Sequence, residues 1–369
     1  MPFFSLPPLP VFNGHIATAF AKNNAVTGDR SGAARFAPCC ERVIDLYETR
    51  KKRWLSFLFS CLLAFSLITP AWAAEGERTL IPLGKAVGIK LFADGALVVS
   101  LEGSDTLKVG DLLLKVNDTR VQSTEQLQAL LQKNGSMPVS MQVRRGERLV
   151  TFTDTPQCGS DGVYRLGAWI RDSMAGIGTV TYYDPATGAF GALGHGITDG
   201  DTMALMPFGS GSILPSTVKA VKKGSSGSAG ELRGNFDLSG DLGPLCANTD
   251  CGIFGTLSQP KPGEAVQTAP ASAVTTGAAE ILSNVDGEQV QRFSIRIARV
   301  DPGAKNGRNL LITVTDEALL AKTGGIVQGM SGSPILQNGK LVGAVTHVLV
   351  NDPTMGYGVL IENMLEMAK

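Results

Sequence analysis

From Gly159 to the end, the chain is cut into short β-prone runs by glycine, proline and aspartate-rich turns, as in AGIGTVTYYDPATGAFGALGHGITD. Runs of this length and spacing, closed by turn residues, build sheets that fold back on themselves. The pattern predicts a β-sandwich or a double β-barrel as one unit over 159–369, with only Tyr357 to Lys369 reading as a helix. The 44 glycines in 369 residues lie well above the usual share of about 7%. Apolar residues make up 43% of the chain, ample for a core, so disorder, collagen and multi-span membrane classes are excluded. Lys and Arg number 33 against 33 Asp and Glu, at 18% charged overall. A nucleic-acid binder shows a clustered basic excess, so no nucleic acid is expected as partner.

Arg50, Lys51, Lys52 and Arg53 precede the uncharged run from Trp54 to Ala74, in which Pro70 breaks the apolar stretch and Ala71-Trp72-Ala73 forms a small-x-small site. This is the grammar of an export signal with cleavage after Ala73, or of an anchor where the site is missed. The 50 residues ahead of it are an atypical preamble and suggest a start codon called too early. Of Cys39, Cys40, Cys61, Cys158, Cys246 and Cys251, cleavage would leave the last three. Cys246 and Cys251 are spaced to clip the loop CANTDC as a disulfide, in preference to a metal site that would lack ligands.

From about Thr79 to Thr155 strand and helix signals alternate. GIKLFADGALVVSL reads as two strands about an Asp94-Gly95 hairpin, and LKVGDLLLKVND as a further strand. Ser123 with Gln126 makes a capping box, and Leu127, Leu130 and Leu131 share a helix face that ends at Asn134-Gly135. Two more strands follow, VSMQVRR and LVTFTD. Val109-Gly110-Asp111 with Leu112 to Asn117, and Pro82-Leu83-Gly84 upstream, resemble a PDZ domain. That resemblance implies a groove between a strand and the helix that takes an extended peptide, its carboxylate held by the loop Leu83, Gly84, Lys85, Ala86 and Val87.

Gly329-Met330-Ser331-Gly332-Ser333-Pro334, followed by a strand, the Asn338-Gly339 turn and another strand, is the sharpest chemical signal. A nucleophilic serine needs an exposed hydroxyl on a tight turn, and glycines let the amides of Gly329 and Ser331 converge on an oxyanion. Gly224-Ser225-Ser226-Gly227 and Gly209-Ser210-Gly211-Ser212 lack the trailing proline and hairpin. For a base the exported part offers His195, set between Gly194 and Gly196, and His347 inside a strand; His195 is favoured. Asp199, Asp316 and Asp352 stay open as the third member, with helix capping the competing use of Asp316.

GALGHGITD and TDEALLAKTGGIVQGMSGSPILQNGKLVGAVTHVLVNDPTMGYGV, with the PDZ-like unit ahead, resemble the SpoIVB peptidase family over about residues 50–369. The resemblance implies a mainly β protein: an extension over 1–50, a signal or anchor over 51–74, a PDZ domain over 75–157, and a trypsin-like double β-barrel serine peptidase over 158–369. It places the catalytic residues on His195, Asp316 and Ser331, with no metal or cofactor. It also implies an exported, self-processing endopeptidase acting between forespore and mother-cell membranes. There it would cut a membrane-bound regulator of the intramembrane metalloprotease that releases a late sigma factor. The short gap from Asp316 to Ser331 departs from trypsin. The rival readings are an exported PDZ adaptor without activity and a metal-dependent hydrolase using His195, His347 and a carboxylate.

Overall fold

The β-prone runs pair as two closed barrels and a smaller α+β unit, in a computed structural model that describes residues 78–237, 239–304 and 307–368. The preamble and the segment 54–74 lie outside the described residues, and no helix among those described is long and apolar enough to cross a membrane.

Strand β1 (Thr79–Leu101) is long because its apolar residues serve two cores in turn. Its first half pairs with β5 (Ala168–Tyr183) on one edge and β7 (Ser210–Lys222) on the other. Through β6 (Ala189–Ala192), β10 (Gly252–Thr256) and β9 (Gly243–Thr249) the ring closes back onto β7. Strand β8 (Glu231–Phe236) extends β7 outward. Val87, Ile89, Val180, Phe190, Ile213 and Ile253 fill this first barrel.

The second half of β1 pairs with β2 (Leu112–Val116), which continues to β3 (Val139–Arg145) and β4 (Arg148–Asp154). Helix α1 (Thr124–Asn134) packs Leu127 and Leu131 against this sheet. Ser123 Oγ accepts from Gln126 N at 3.1 Å, as a capping residue should. Gln126 Oε1 accepts from Gln122 N, one residue earlier than the capping box expects. The two domain spans thus share strands: β1 and β5 each run from the first barrel into the PDZ-like unit.

The expected hairpin at Asp94-Gly95 is instead a bulge within β1, where pairing with β5 shifts register between Phe92 and Leu97. Strand β5 holds one edge of β1 along its whole length, so the turn residues bend the strand without reversing it.

The Gly110-Asp111 signature has a direct cause. Arg145 donates from Nε and Nη2 to the two carboxylate oxygens of Asp111, both at 2.7 Å, and Lys108 N donates to Asp111 Oδ2 at 2.9 Å. The Asp111 side chain is buried, so Asp111→Ala strands the arginine; a loss of about 3 kcal/mol is expected in urea unfolding.

The second barrel is ringed by β11 (Gly277–Asp286), β12 (Gln289–Val300), β13 (Leu310–Val314), β16 (Asp352–Leu360), β15 (Lys340–Leu349) and β14 (Pro334–Gln337). Asn338 and Gly339, at φ 52° and 76°, make the predicted hairpin turn between β14 and β15. Helix α2 (Glu317–Thr323) follows β13. The closing helix α3 spans only Ile361–Met367, because Tyr357 to Leu360 complete β16 against β13 and β15.

Cys246 is exposed and Cys251 half-buried, and both are free thiols, which corrects the expected disulfide. The paired residues Asn248–Ile253 and Thr249–Gly252 form a tight hairpin end, Cys251 lies in its turn, and Cys246 sits back at a bulge in β9.

Candidate active site

The Ser331 turn and the histidine loop come from different barrels, and glycines let them meet. Strand β6 ends at Ala192, and Leu193 and Gly194 take φ of 69° and 70° to turn His195 toward the second barrel. A side chain at Gly194 would press on Thr346 and Val359, and one at Gly196 would strike Leu205 at 2.2 Å. On the other side, Gly332 has φ 95°, and a Cβ there would stand 2.0 Å from Thr179 O and 2.5 Å from Leu193 N. The serine turn is thus seated directly on the histidine loop.

Thr179 of β5 clamps that turn. Its amide donates to Ser331 O at 3.0 Å and its hydroxyl to Gly329 O at 2.8 Å. Met330, fully buried between them, anchors the turn in the second barrel's core. Among the described residues, neither the Gly329 nor the Ser331 amide donates a hydrogen bond, so both expected oxyanion donors are available.

Ser331, His195, Thr346 and His347 line one cleft of about 800 Å³. Ser331 Oγ donates to Thr346 O at 2.6 Å. His195 Nδ1 lies 2.9 Å from Gly196 O; a carbonyl only accepts, so Nδ1 carries the proton and Nε2 keeps its lone pair. Burial holds the His195 imidazole below its ordinary range, and the Gly196 bond opposes this in part. His347 lies with its ring centroid 4.8 Å from that of His195. Burial first, then His195 and Arg308, push its imidazole down to about 4. Both rings are therefore neutral near pH 7, the state in which an imidazole can accept a proton.

The three candidate carboxylates are all engaged elsewhere. Asp316, expected to orient His195, caps α2: Oδ1 accepts from Leu319 N at 3.0 Å and Oδ2 from Ser294 N at 3.2 Å. It does not line the cleft. The orphan amides at a helix start outcompete a distant imidazole for this carboxylate. Asp199, fully buried, binds Arg171 and the Thr202 and Asp201 amides. Asp352 holds Thr354 within its own turn. Tautomer selection at His195 thus falls to the Gly196 carbonyl. Sequence patterns do not reveal the role of Thr179, because a threonine in an alternating strand announces no pairing with a serine turn 150 residues away.

The segment Leu83–Val87 is also placed differently from expectation. Lys85, Ala86 and Val87 pair with Val180, Thr179 and Gly178 inside the first barrel, and Gly84, at φ 63°, packs against Leu282. One edge of Lys85 to Val87 is held by β5 and Val87 also meets β7, so the segment belongs to the first barrel and does not line the groove of the PDZ-like unit. The groove of that unit, about 1140 Å³, runs instead between α1 and Leu166–Ile170 at the start of β5. The loop leading into it is Gly159–Gly167.

Residues 162–365 match the model of the SpoIVB peptidase S55 family, and residues 106–145 match a PDZ domain. No curated protein shows a match to the chain. Among solved structures, the active form of the Rv3671c protease from M. tuberculosis is 15% identical. The match covers 53% of this chain and 74% of that one, with a TM-score of 0.29. Its inactive form gives 15% identity, 53% and 84% coverage and a TM-score of 0.28. The PDZ domain of an SdrC-like protein from Listeria monocytogenes is 17% identical, over 21% of this chain and 87% of that domain, at a TM-score of 0.20.

Proposed function

Since the chain belongs to the SpoIVB peptidase S55 family and carries a PDZ domain, we propose that it is an exported serine endopeptidase in which Ser331 is the nucleophile and His195 the base. The observation that carries this is the meeting of Ser331 and a His195 of fixed tautomer in one cleft between the barrels.

In this reading Ser331 Oγ turns from Thr346 O to the substrate and attacks the peptide carbonyl carbon while its proton passes to His195 Nε2. The oxyanion is held by the Gly329 and Ser331 amides. His195 then protonates the departing amine as the C–N bond breaks, leaving an acyl-serine. Water attacks that ester, giving a proton to His195, which passes it to Ser331 Oγ as the ester C–O bond breaks and the carboxylic acid product leaves. The Gly196 carbonyl serves in place of a carboxylate, holding the Nδ1 proton.

The remaining proposals rest on the family. The enzyme processes itself and cuts a membrane-bound regulator of the sigma-factor-processing metalloprotease, in the space between forespore and mother-cell membranes, with Trp54 to Ala74 as signal or anchor. The adaptor reading leaves the open oxyanion donors and the neutral, singly tautomeric His195 without a use.

The full chain should shorten itself and cut an unfolded protein, followed by intact mass. Asp316→Asn, which preserves a helix cap, should retain most of that activity. A carboxylate orienting the base would instead lose about 10⁴-fold on amidation. Asp316→Ala should cost about 1 kcal/mol of stability through the lost cap. A chain that neither shortens nor cuts contradicts the reading.

A further inference from the structure

The loop from Ile197 to Met206 is built with more internal support than a surface connection needs. Asn248 clamps its base: Ile197 N donates to Asn248 Oδ1 at 2.8 Å, and Asn248 Nδ2 donates to Ile197 O at 3.0 Å and Met206 O at 2.9 Å. The buried Asp199 carboxylate organises its tip, with Arg171 from β5 paired to both Asp199 and Asp201. Met206 N also donates to Ile197 O, Asp199 N to Ala204 O, and Met203 N to Asp199 O, each at 2.9 Å.

What this frame holds out is apolar. Met203 is 75% exposed and sits at φ 56°, a conformation that costs a non-glycine residue energy and persists only where its surroundings enforce it. Leu205, 36% exposed, lies against Gly196, the residue whose carbonyl sets the His195 tautomer. Both line the cleft that holds Ser331 and His195. Met174, Ile177 and the exposed Val350 line the same cleft. Among the described residues no lysine or arginine lines this cleft, and Asp250 is its one carboxylate. Exposed apolar side chains gathered at one cleft mark a contact surface, and methionine adapts to varied apolar partners.

Resting on the serine-peptidase reading, we infer that Met203 and Leu205 are specificity-determining residues that receive an apolar side chain of the substrate beside the bond Ser331 attacks. Peptides with Leu, Met, Ile, Val or Phe next to the cut are therefore the preferred substrate class. Asp250 sits by the histidine loop and is the one group that would favour a basic side chain.

The test is to digest a random peptide mixture with the full chain and align the cuts. The kcat/KM ratio of the best apolar peptide to its alanine counterpart is then measured for wild type, Met203→Ser, Leu205→Ser and Met203→Glu. A ratio within one preparation does not depend on how much of a variant is folded. The serine variants should lower the ratio about tenfold, in the range that pocket methylenes give. Met203→Glu should turn preference toward Lys and Arg. Wild-type cuts beside basic or acidic residues, or an unchanged ratio in all three variants, would overturn the inference while leaving the peptidase intact. Loss of both peptide cleavage and Ser331 labelling by a fluorophosphonate in the wild type would remove the peptidase reading, and this inference with it.

Discussion

Ser331→Ala should abolish self-processing and peptide cleavage, a fall of about 10⁶-fold in kcat, because loss of the nucleophile alone removes most of what the assembled groups contribute. The fold should hardly notice. The Ser331 hydroxyl makes one hydrogen bond, to Thr346 O, worth about 1 kcal/mol. The turn itself is held by the Thr179 amide and hydroxyl, acting on the main chain, and by the buried Met330. The thermal midpoint should therefore move by only a few degrees at most for a loss this small, while turnover disappears. A variant equally stable and still active would show that the cleft's chemistry runs through another group.

Gly332→Ala is expected to damage both stability and activity. The added methyl would meet Thr179 O at 2.0 Å and Leu193 N at 2.5 Å, both main-chain atoms that cannot rotate away. It would also sit at φ 95°, strained for any L residue. The barrels must part at the point where the serine turn rests on the histidine loop. A shift of about 1 Å there costs on the order of 100-fold in rate. Gly339→Ala is the matched control: its φ is 76°, but nothing lies within 4 Å, so only backbone strain of about 1 kcal/mol is added. Thermal unfolding and peptide cleavage of the two variants should separate widely. Equal behaviour would mean that the close approach at Gly332 is not what aligns the site.

Much of this was legible because it is local. The Gly110-Asp111 signature announces a turn that aims a buried carboxylate at an arginine, and the Ser123 cap and Asn338-Gly339 hairpin are each specified within a few residues. The glycines around His195 and Ser331 likewise mark points where backbone meets backbone. What was not legible is set by distant pairing. Asp94-Gly95 has the composition of a hairpin, yet β5 lies along β1 on both sides of it and makes it a bulge. Leu83–Val87 reads as a binding loop only until Lys85 to Val87 are found paired with β5 inside the first barrel. Asp316 stands where the resemblance places the acid, but a helix begins one residue later and its Leu319 amide takes one carboxylate oxygen, while Ser294 of β12 takes the other. The Thr179 clamp joins two barrels, and no local pattern encodes it.

The acidic side of the site follows from the same geometry. Both histidines are held below the ordinary imidazole value of 6.5, so the unfolded chain binds more protons than the folded one as the pH falls below it, down to about 4 for His347. Stability from these two groups is complete above 6.5 and declines as the pH falls below it, and a rate that depends on neutral His195 is expected to persist to lower pH than an exposed histidine would allow.

The central claim is that Ser331 is a nucleophile activated by His195 without a carboxylate from Asp316. Treating the full chain with a fluorophosphonate and mapping the adduct by mass spectrometry tests it most directly. The predicted result is a single adduct on Ser331, formed at similar rates in wild type and Asp316→Asn and lost in His195→Ala. An adduct on another serine such as Ser225 or Ser226, no adduct at all, or one that vanishes with Asp316→Asn would contradict it.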